Sequence, residues 1–351
     1  MQRVRHQYVD RRTGQVRDER LYHDRVVRWL YDSARERAPW LFRALTGRWS
    51  SKALGLANYD LPLGARLAGS RRFLDELGVD LAECLDAAAD LDTPRKVFER
   101  KIRYWECRPI AAEPRAVVSP ADARALVGSL RSTSQLFIKE KFFSFAELLG
   151  RDSPWLAAFA DGDFAVFRLT PDKYHYNHAP VSGVVRAIYE VDGHYHACNP
   201  GAVVAVVTPY SKNKRVVTVI DTDVAGGTGV GLVAMIEVVA LMIGEIVQCY
   251  SGARYDEPRP IAAGMFVVRG QPKSLYRPGS STDVLLFQPD RVRFAPDLVA
   301  NQQAAAESRF SRGFGAPLVE TDVAVRSWLA SPIGSPPSAT PACATGSASA
   351  P

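Results

Sequence analysis

GSSTDVLLF, residues 279–287, runs from a glycine-serine-serine-threonine turn into a short apolar strand, Val284 to Phe287. Small turn residues followed by β-branched and aromatic ones predict a strand entered from a tight loop. Runs of the same character recur from residue 113 onward: FAVFRL (164–169), GVVRAIYEV (183–191), AVVAVVTPY (202–210), RVVTVID (215–221), VGLVAMIEVVAL (230–241) and MFVV (265–268). Glycine, proline, aspartate and asparagine bound them, so this half of the chain reads as a mainly β domain with antiparallel pairing. GGTGVG, residues 226–231, lacks the spacing of a dinucleotide-binding loop and reads as a hairpin connection.

Upstream, residues 15–107 read as helices. In DRVVRWLYDSARERAPWLFRAL, residues 24–45, Val26, Val27, Trp29 and Leu30 recur with roughly helical spacing and arginines stand between them. Pro39 marks a helix boundary, and Gly78 a break within RRFLDELGVDLAECLDAAADL, residues 71–91. WLFRALTGRW, residues 40–49, mixes bulky apolar residues with arginine. That make-up suits an interfacial helix with its rings at the lipid headgroups, and it also suits a helix packed on its own domain. The fold class expected is therefore α+β: a helical N-terminal region, 1–110, then a mainly antiparallel β catalytic domain, 111–332. The last stretch, 333–351, is small, polar and proline-rich and is expected to be a disordered tail.

The chain has 351 residues, 47% hydrophobic and 23% charged, which is enough to bury a sizeable core. Cys84, Cys107, Cys198, Cys249 and Cys343 are scattered without a C-x-x-C pair, so neither a zinc site nor a disulfide framework is expected. No apolar stretch is long enough for a transmembrane helix, and the N-terminus lacks the apolar core of a signal peptide. The net charge of +6 suits contact with anionic lipid or nucleic acid, and it also suits an ordinary globular surface with no such partner.

Six segments in order carry a resemblance. They are TPRKVFERKIRYWECRPI (93–110), VSPADA (118–123), FIKEKFFSFAELLG (137–150), RLTPDKYHYNHAPVSG (168–183), CNPGAVVAVVTPYSKNKRVV (198–217) and VALMIGEI (239–246). With GSSTDVLLF after them, this order resembles the phosphatidylserine decarboxylase family. Its members cut their own chain before a serine and turn that serine into a pyruvoyl group. Ala123, Glu140, Val239 and Ser280 stand where the family usually has glycine.

Decarboxylating an amino acid needs an electron sink at the amine, which no ordinary side chain offers. The resemblance implies that Ser281 becomes a covalent pyruvoyl cofactor through cleavage between Ser280 and Ser281. Counting from the glycine instead places the cut between Gly279 and Ser280. The resemblance makes His178 the base that activates the serine, Asp122 the carboxylate that orients it, and His175 the group that handles substrate and proton. A side chain at residue 280 restricts φ in the strained turn, so slow or absent cutting is open. His194 and His196 are read into a hairpin turn without a role.

The expected activity is conversion of phosphatidylserine in an anionic membrane to phosphatidylethanolamine and carbon dioxide. The expected place is the inner face of the cell membrane, with the protein peripheral and cytoplasmic. The fragments 1–280 and 281–351 should stay associated because strands on both sides of the cut share one sheet. A homodimer is compatible with this reading; nucleic acid and metal have no place in it. Two alternatives share its motifs: a soluble relative acting on a free, aromatic amino acid, and an uncleaved homologue without activity.

Overall fold

The computed structural model describes residues 5–21, 78–131, 142–194, 196, 199–205, 209–239, 245–278 and 281–334. Its strands are β1 Gln7–Asp10, β2 Val16–Asp18, β3 Val117–Val118, β4 Ala123–Ser129, β5 Asp163–Leu169, β6 Tyr176–His178, β7 Gly183–Val191 and β8 Arg215–Asp221. They continue with β9 Leu232–Val239, β10 Ile246–Gln248, β11 Phe266–Val267, β12 Pro272–Tyr276, β13 Ser281–Phe287, β14 Val292–Phe294, β15 Glu320–Val323 and β16 Trp328–Pro332. Short helices lie between them: α1 Pro94–Phe98, α2 Tyr104–Cys107, α3 Phe145–Leu149, α4 Leu156–Phe159, α5 Pro200–Ala205, α6 Pro209–Lys212, α7 Pro296–Asn301 and α8 Arg309–Phe314.

One ten-stranded sheet, ordered β11-β7-β8-β9-β13-β5-β4-β15-β1-β2, organises the molecule. Its pairs are antiparallel except that β1 lies parallel to β15. β13 runs near the middle, hydrogen-bonded to β5 on one side and β9 on the other, and all seven of its residues are buried. Strand residues alternate between faces. Leu285 and Phe287 therefore share one core with Phe167 and Met235, while Val284 and Leu286 share another with Val166 and Ile236. Each such side chain contributes about 1.5–3 kcal/mol through burial.

The two faces are covered differently. The first packs against two three-stranded sheets, β10-β12-β6 and β14-β16-β3, through Tyr276, Ala179, Val292 and Leu329. The second packs against helices, through Leu148 and Leu149 of α3, Phe159 of α4, Tyr210 of α6, and Phe310 and Phe314 of α8. Strands buried on both faces read as continuous apolar runs, and that is how VGLVAMIEVVAL and DVLLF read.

The mainly β reading holds, and the hairpin reading of GGTGVG holds: β8 and β9 pair Asp221 with Leu232, and Gly226, Gly229 and Gly231 turn the chain at φ +75°, +74° and +75°. Four readings change. β13 begins at Ser281 rather than Val284, because the ladder to β5 and β9 takes in the polar Ser-Thr-Asp. AVVAVVTPY supplies α5 and α6 instead of a strand; Asn199 accepts the Gly201 amide at 2.8 Å and Pro200 leads the helix, so the helix-start signal outweighs β-branching. The connection holding His194 and His196 is therefore no tight hairpin turn. Residues 7–18, inside the region read as helical, form β1 and β2 of the main sheet, and residues 79–91 form turns. WLFRALTGRW and Glu140 lie outside the described residues.

Candidate active site

The motif YHYNH crosses from a loop into β6, and β6 pairs with β12, the last strand before Ser281. The Tyr276 amide donates to the His175 carbonyl at 3.1 Å. The histidine motif is thus joined through the backbone to the strand that precedes Ser281. Ser281 is the first residue of β13, pairs with Leu169 and Val239, and points to the same face as Leu285. That face looks toward the small sheet that carries β6. The Ser281 hydroxyl is buried and has no hydrogen-bond partner among the described residues. Gly279 and Ser280, and with them both registers for the cut, lie outside the described residues.

His178 is fully buried, and its backbone amide donates to the Pro120 carbonyl at 2.7 Å. Its Nδ1 lies 2.8 Å from the Gly270 carbonyl, which only accepts, so Nδ1 carries the hydrogen. Nε2 is left as the basic nitrogen, 3.0 Å from the Tyr174 hydroxyl, which in turn meets the Tyr255 hydroxyl at 2.7 Å. Tyr104 stands edge-on to the imidazole, with ring centres 4.7 Å apart. Burial in this aromatic setting pushes the His178 pKa down to about 3, so the ring is neutral.

Asp122 lies two residues after Pro120, close to His178, but its carboxylate is not bonded to the imidazole. Oδ1 accepts the Val325 amide at 2.7 Å, and the Arg108 guanidinium grips both oxygens, with Nη2 to Oδ2 at 2.9 Å. Burial pushes the carboxyl up, and Arg108 outweighs it and holds the group ionised. Asp122 reaches His178 through its charge, which favours the protonated ring. The hydrogen bond that orients the imidazole comes from the Gly270 carbonyl.

His175 is also fully buried, stacked on Phe98 with ring centres 3.5 Å apart. Neither of its nitrogens has a hydrogen-bond partner among the described residues. Burial, then the nearby Arg100 cation, hold its pKa well below the usual value. Arg100 itself spends its Nη groups on backbone, donating to the Val97 and Asp172 carbonyls at 2.9 Å each.

A second polar group was missed from the sequence. Glu237 on β9 faces Asp283 on β13 across the ladder, and both are fully buried. Lys273, equally buried, donates to Glu237 at 2.7 Å and to Gln248 at 2.9 Å. Ser274 also bonds Glu237. The visible signal was an acid inside each of two continuous apolar runs.

His6, Glu19 and Glu320 bring three ligand-type atoms within 4.8 Å of one another. The Arg168 guanidinium is hydrogen-bonded to both carboxylates there, at 2.5–3.0 Å. Arg168 already takes up part of the charge a metal would balance, and the cluster reads as an ionic tie between the N-terminal strands and the sheet.

Comparison with known proteins fits this geometry. The family model for phosphatidylserine decarboxylase matches residues 95–314, which include Asp122, His175, His178 and Ser281. The chain belongs to the phosphatidylserine decarboxylase family. Similar relatives named phosphatidylserine decarboxylase proenzyme occur in Chlamydia trachomatis, 31% identical over 87% of this chain and 95% of the relative, and in Fusobacterium nucleatum, 24% identical over 88% and 95%. One from Bordetella petrii is 33% identical over 64% of this chain and 78% of its own length. Enzymes of the phosphatidylserine decarboxylase family are carboxy-lyases that depend on a pyruvoyl group. Ser281 fits the origin of that group, since its hydroxyl is buried at the start of a central strand and has no hydrogen-bond partner among the described residues. No helix among the described residues is long and apolar enough to cross a membrane.

Proposed function

We propose that this chain is a self-cleaving proenzyme that cuts between Ser280 and Ser281 and then decarboxylates phosphatidylserine to phosphatidylethanolamine at a membrane face. The observation that carries the reading is the buried Ser281 hydroxyl at the start of β13, without a hydrogen-bond partner among the described residues, within a chain that has the family's motifs in order.

In this reading the Ser281 oxygen attacks the carbonyl carbon of residue 280, and the amide becomes an ester while the Ser281 nitrogen gains a proton. His178 acts through Nε2, the nitrogen left basic by the Gly270 bond. A neutral imidazole is the form needed to take a proton, and burial keeps it so. Loss of the Ser281 α-proton expels the residue 280 carboxylate, and hydrolysis of the resulting dehydroalanine releases ammonia. The pyruvoyl group, once made, supplies the electron sink for departure of carbon dioxide. His175, with neither nitrogen committed, is the group that meets the substrate and returns a proton to its carbon. Asp122, held ionised by Arg108, biases His178 by charge.

β13 is hydrogen-bonded on both sides to strands that precede the cut, so fragments 1–280 and 281–351 remain one folded body. The membrane face rests on the relatives' named substrate and on the basic charge.

Val239 favours a second reading. It pairs directly with Ser281 and stands where the family usually has glycine, so a branched side chain faces the reactive residue. An uncut, inactive homologue would suit that crowding. Intact mass under denaturing conditions decides: two chains, the smaller beginning with a blocked residue 281, support the proenzyme. A small chain beginning at 280 moves the register, and a single unbroken chain refutes the enzyme.

A further inference from the structure

Among the described residues Glu237 has Lys273 as its cation, and Asp283 opposite it has no ion pair. Asp283 lies one pleat beyond Ser281 on the same face of β13. Glu237 opposite has both oxygens supplied: Oε2 from Lys273 and Gln248, and Oε1 from Asn177 and Ser274. That set suits an ionised carboxylate and uses Lys273. Asp283 makes one contact, Oδ1 to the Tyr276 hydroxyl at 2.7 Å, and its Oδ2 is buried with no partner among the described residues. A buried carboxylate oxygen left without a donor is costly if charged.

Hydrogen counting permits the same state. The Tyr276 hydroxyl oxygen lies 3.1 Å from the Val238 amide, 3.0 Å from the Thr282 carbonyl and 2.7 Å from Asp283 Oδ1. The amide can only donate and the carbonyl can only accept, and a phenol has a single hydrogen to give. If Tyr276 gives it to Thr282, the short contact to Asp283 needs a hydrogen from the acid. Burial and the Glu237 charge push the Asp283 carboxyl well above its usual range, in the same direction.

We propose that Asp283 is a neutral carboxylic acid that donates to Tyr276, and that the pair fixes the Thr282 carbonyl beside the reactive serine. Asp283 and Tyr276 are then positioning residues for self-cleavage, a role that rests on Ser281 being the serine that is cut. The pair spans the break: Tyr276 precedes the turn, and Asp283 and Thr282 follow it. Their bonds tie the end of β12 to the start of β13.

The test follows precursor cutting after cell-free synthesis, by denaturing gel, in Asp283→Leu, Asp283→Asn and Tyr276→Phe, with thermal midpoints to establish folding. Asp283→Leu and Tyr276→Phe should cut about tenfold more slowly, the scale of one lost hydrogen bond. Asp283→Asn should restore most of the rate lost in Asp283→Leu, because its amide donates to the same oxygen. Asn as slow as Leu would mean that an anion is required, and Leu as fast as the unaltered chain would mean no positioning; either overturns the proposal. Infrared spectra of the uncut Ser281→Ala chain give a separate reading of the proton. A protonated-carboxyl band should be present and should vanish on adding Asp283→Asn, and its absence from Ser281→Ala overturns the assignment whether or not the chain cuts. An unaltered chain that never cuts refutes the Ser281 reading and the positioning role with it, while the band still decides the proton.

Discussion

His175 and His178 come from one motif, and both are fully buried, yet the structure treats them in opposite ways. His178 has both nitrogens engaged, one by a carbonyl and one by a hydroxyl, so its tautomer and orientation are fixed. His175 has a stacked phenyl ring on its face and, among the described residues, no hydrogen-bond partner at either nitrogen. A fixed imidazole suits a single proton transfer along a set direction. One with open nitrogens suits a ligand that arrives later. The difference teaches that burial alone does not define a role; the hydrogen-bond inventory does.

The sharpest way to break the comparison is His178→Ala. Cutting should fall by about a hundredfold or more, the usual worth of a positioned base, and a gel should show intact precursor. Asp122→Asn should fall less, since Asp122 acts on the ring through charge; a complete block there would mean that a direct bond forms in the reacting state.

Next in size is His175→Ala. Cutting should stay near normal, while release of carbon dioxide from phosphatidylserine vesicles should drop by about a hundredfold. A precursor that fails to cut would merge the two histidines into one role.

The smallest effect is on stability. A histidine whose folded pKa is depressed takes up a proton on unfolding, so its contribution is complete above the unfolded value and is lost as the pH falls. For His178 the window runs from about 6.5 down to about 3. Its share of the slope is at most about 1.4 kcal/mol per pH unit. Denaturant midpoints of the unaltered chain and His178→Gln should converge as the pH drops through that window. His175, shifted in the same direction, should behave likewise. Parallel curves would mean that His178 is open to water.

The strand runs were legible because burial on both faces leaves continuous apolar runs rich in β-branched and aromatic residues, as in β5, β8 and β9. The glycines of 226–231 announced their hairpin through conformations that other residues resist. AVVAVVTPY misled, because β-branching is a weak preference and Asn199-Pro200 is a strong helix start. The four candidate site residues were reached only through motif order; no spacing in the sequence states that the Gly270 carbonyl would take Nδ1 of His178.

By itself the sequence determined a mainly β chain, the family's order of motifs, and a serine at the mouth of a strand, because these depend on near neighbours along the chain. Tertiary structure decided which acid keeps a proton. Lys273, Glu237, Tyr276 and Asp283 meet only when β9, β12 and β13 assemble. In that dry space one cation serves two carboxyl groups, and the second is stable only as the neutral acid.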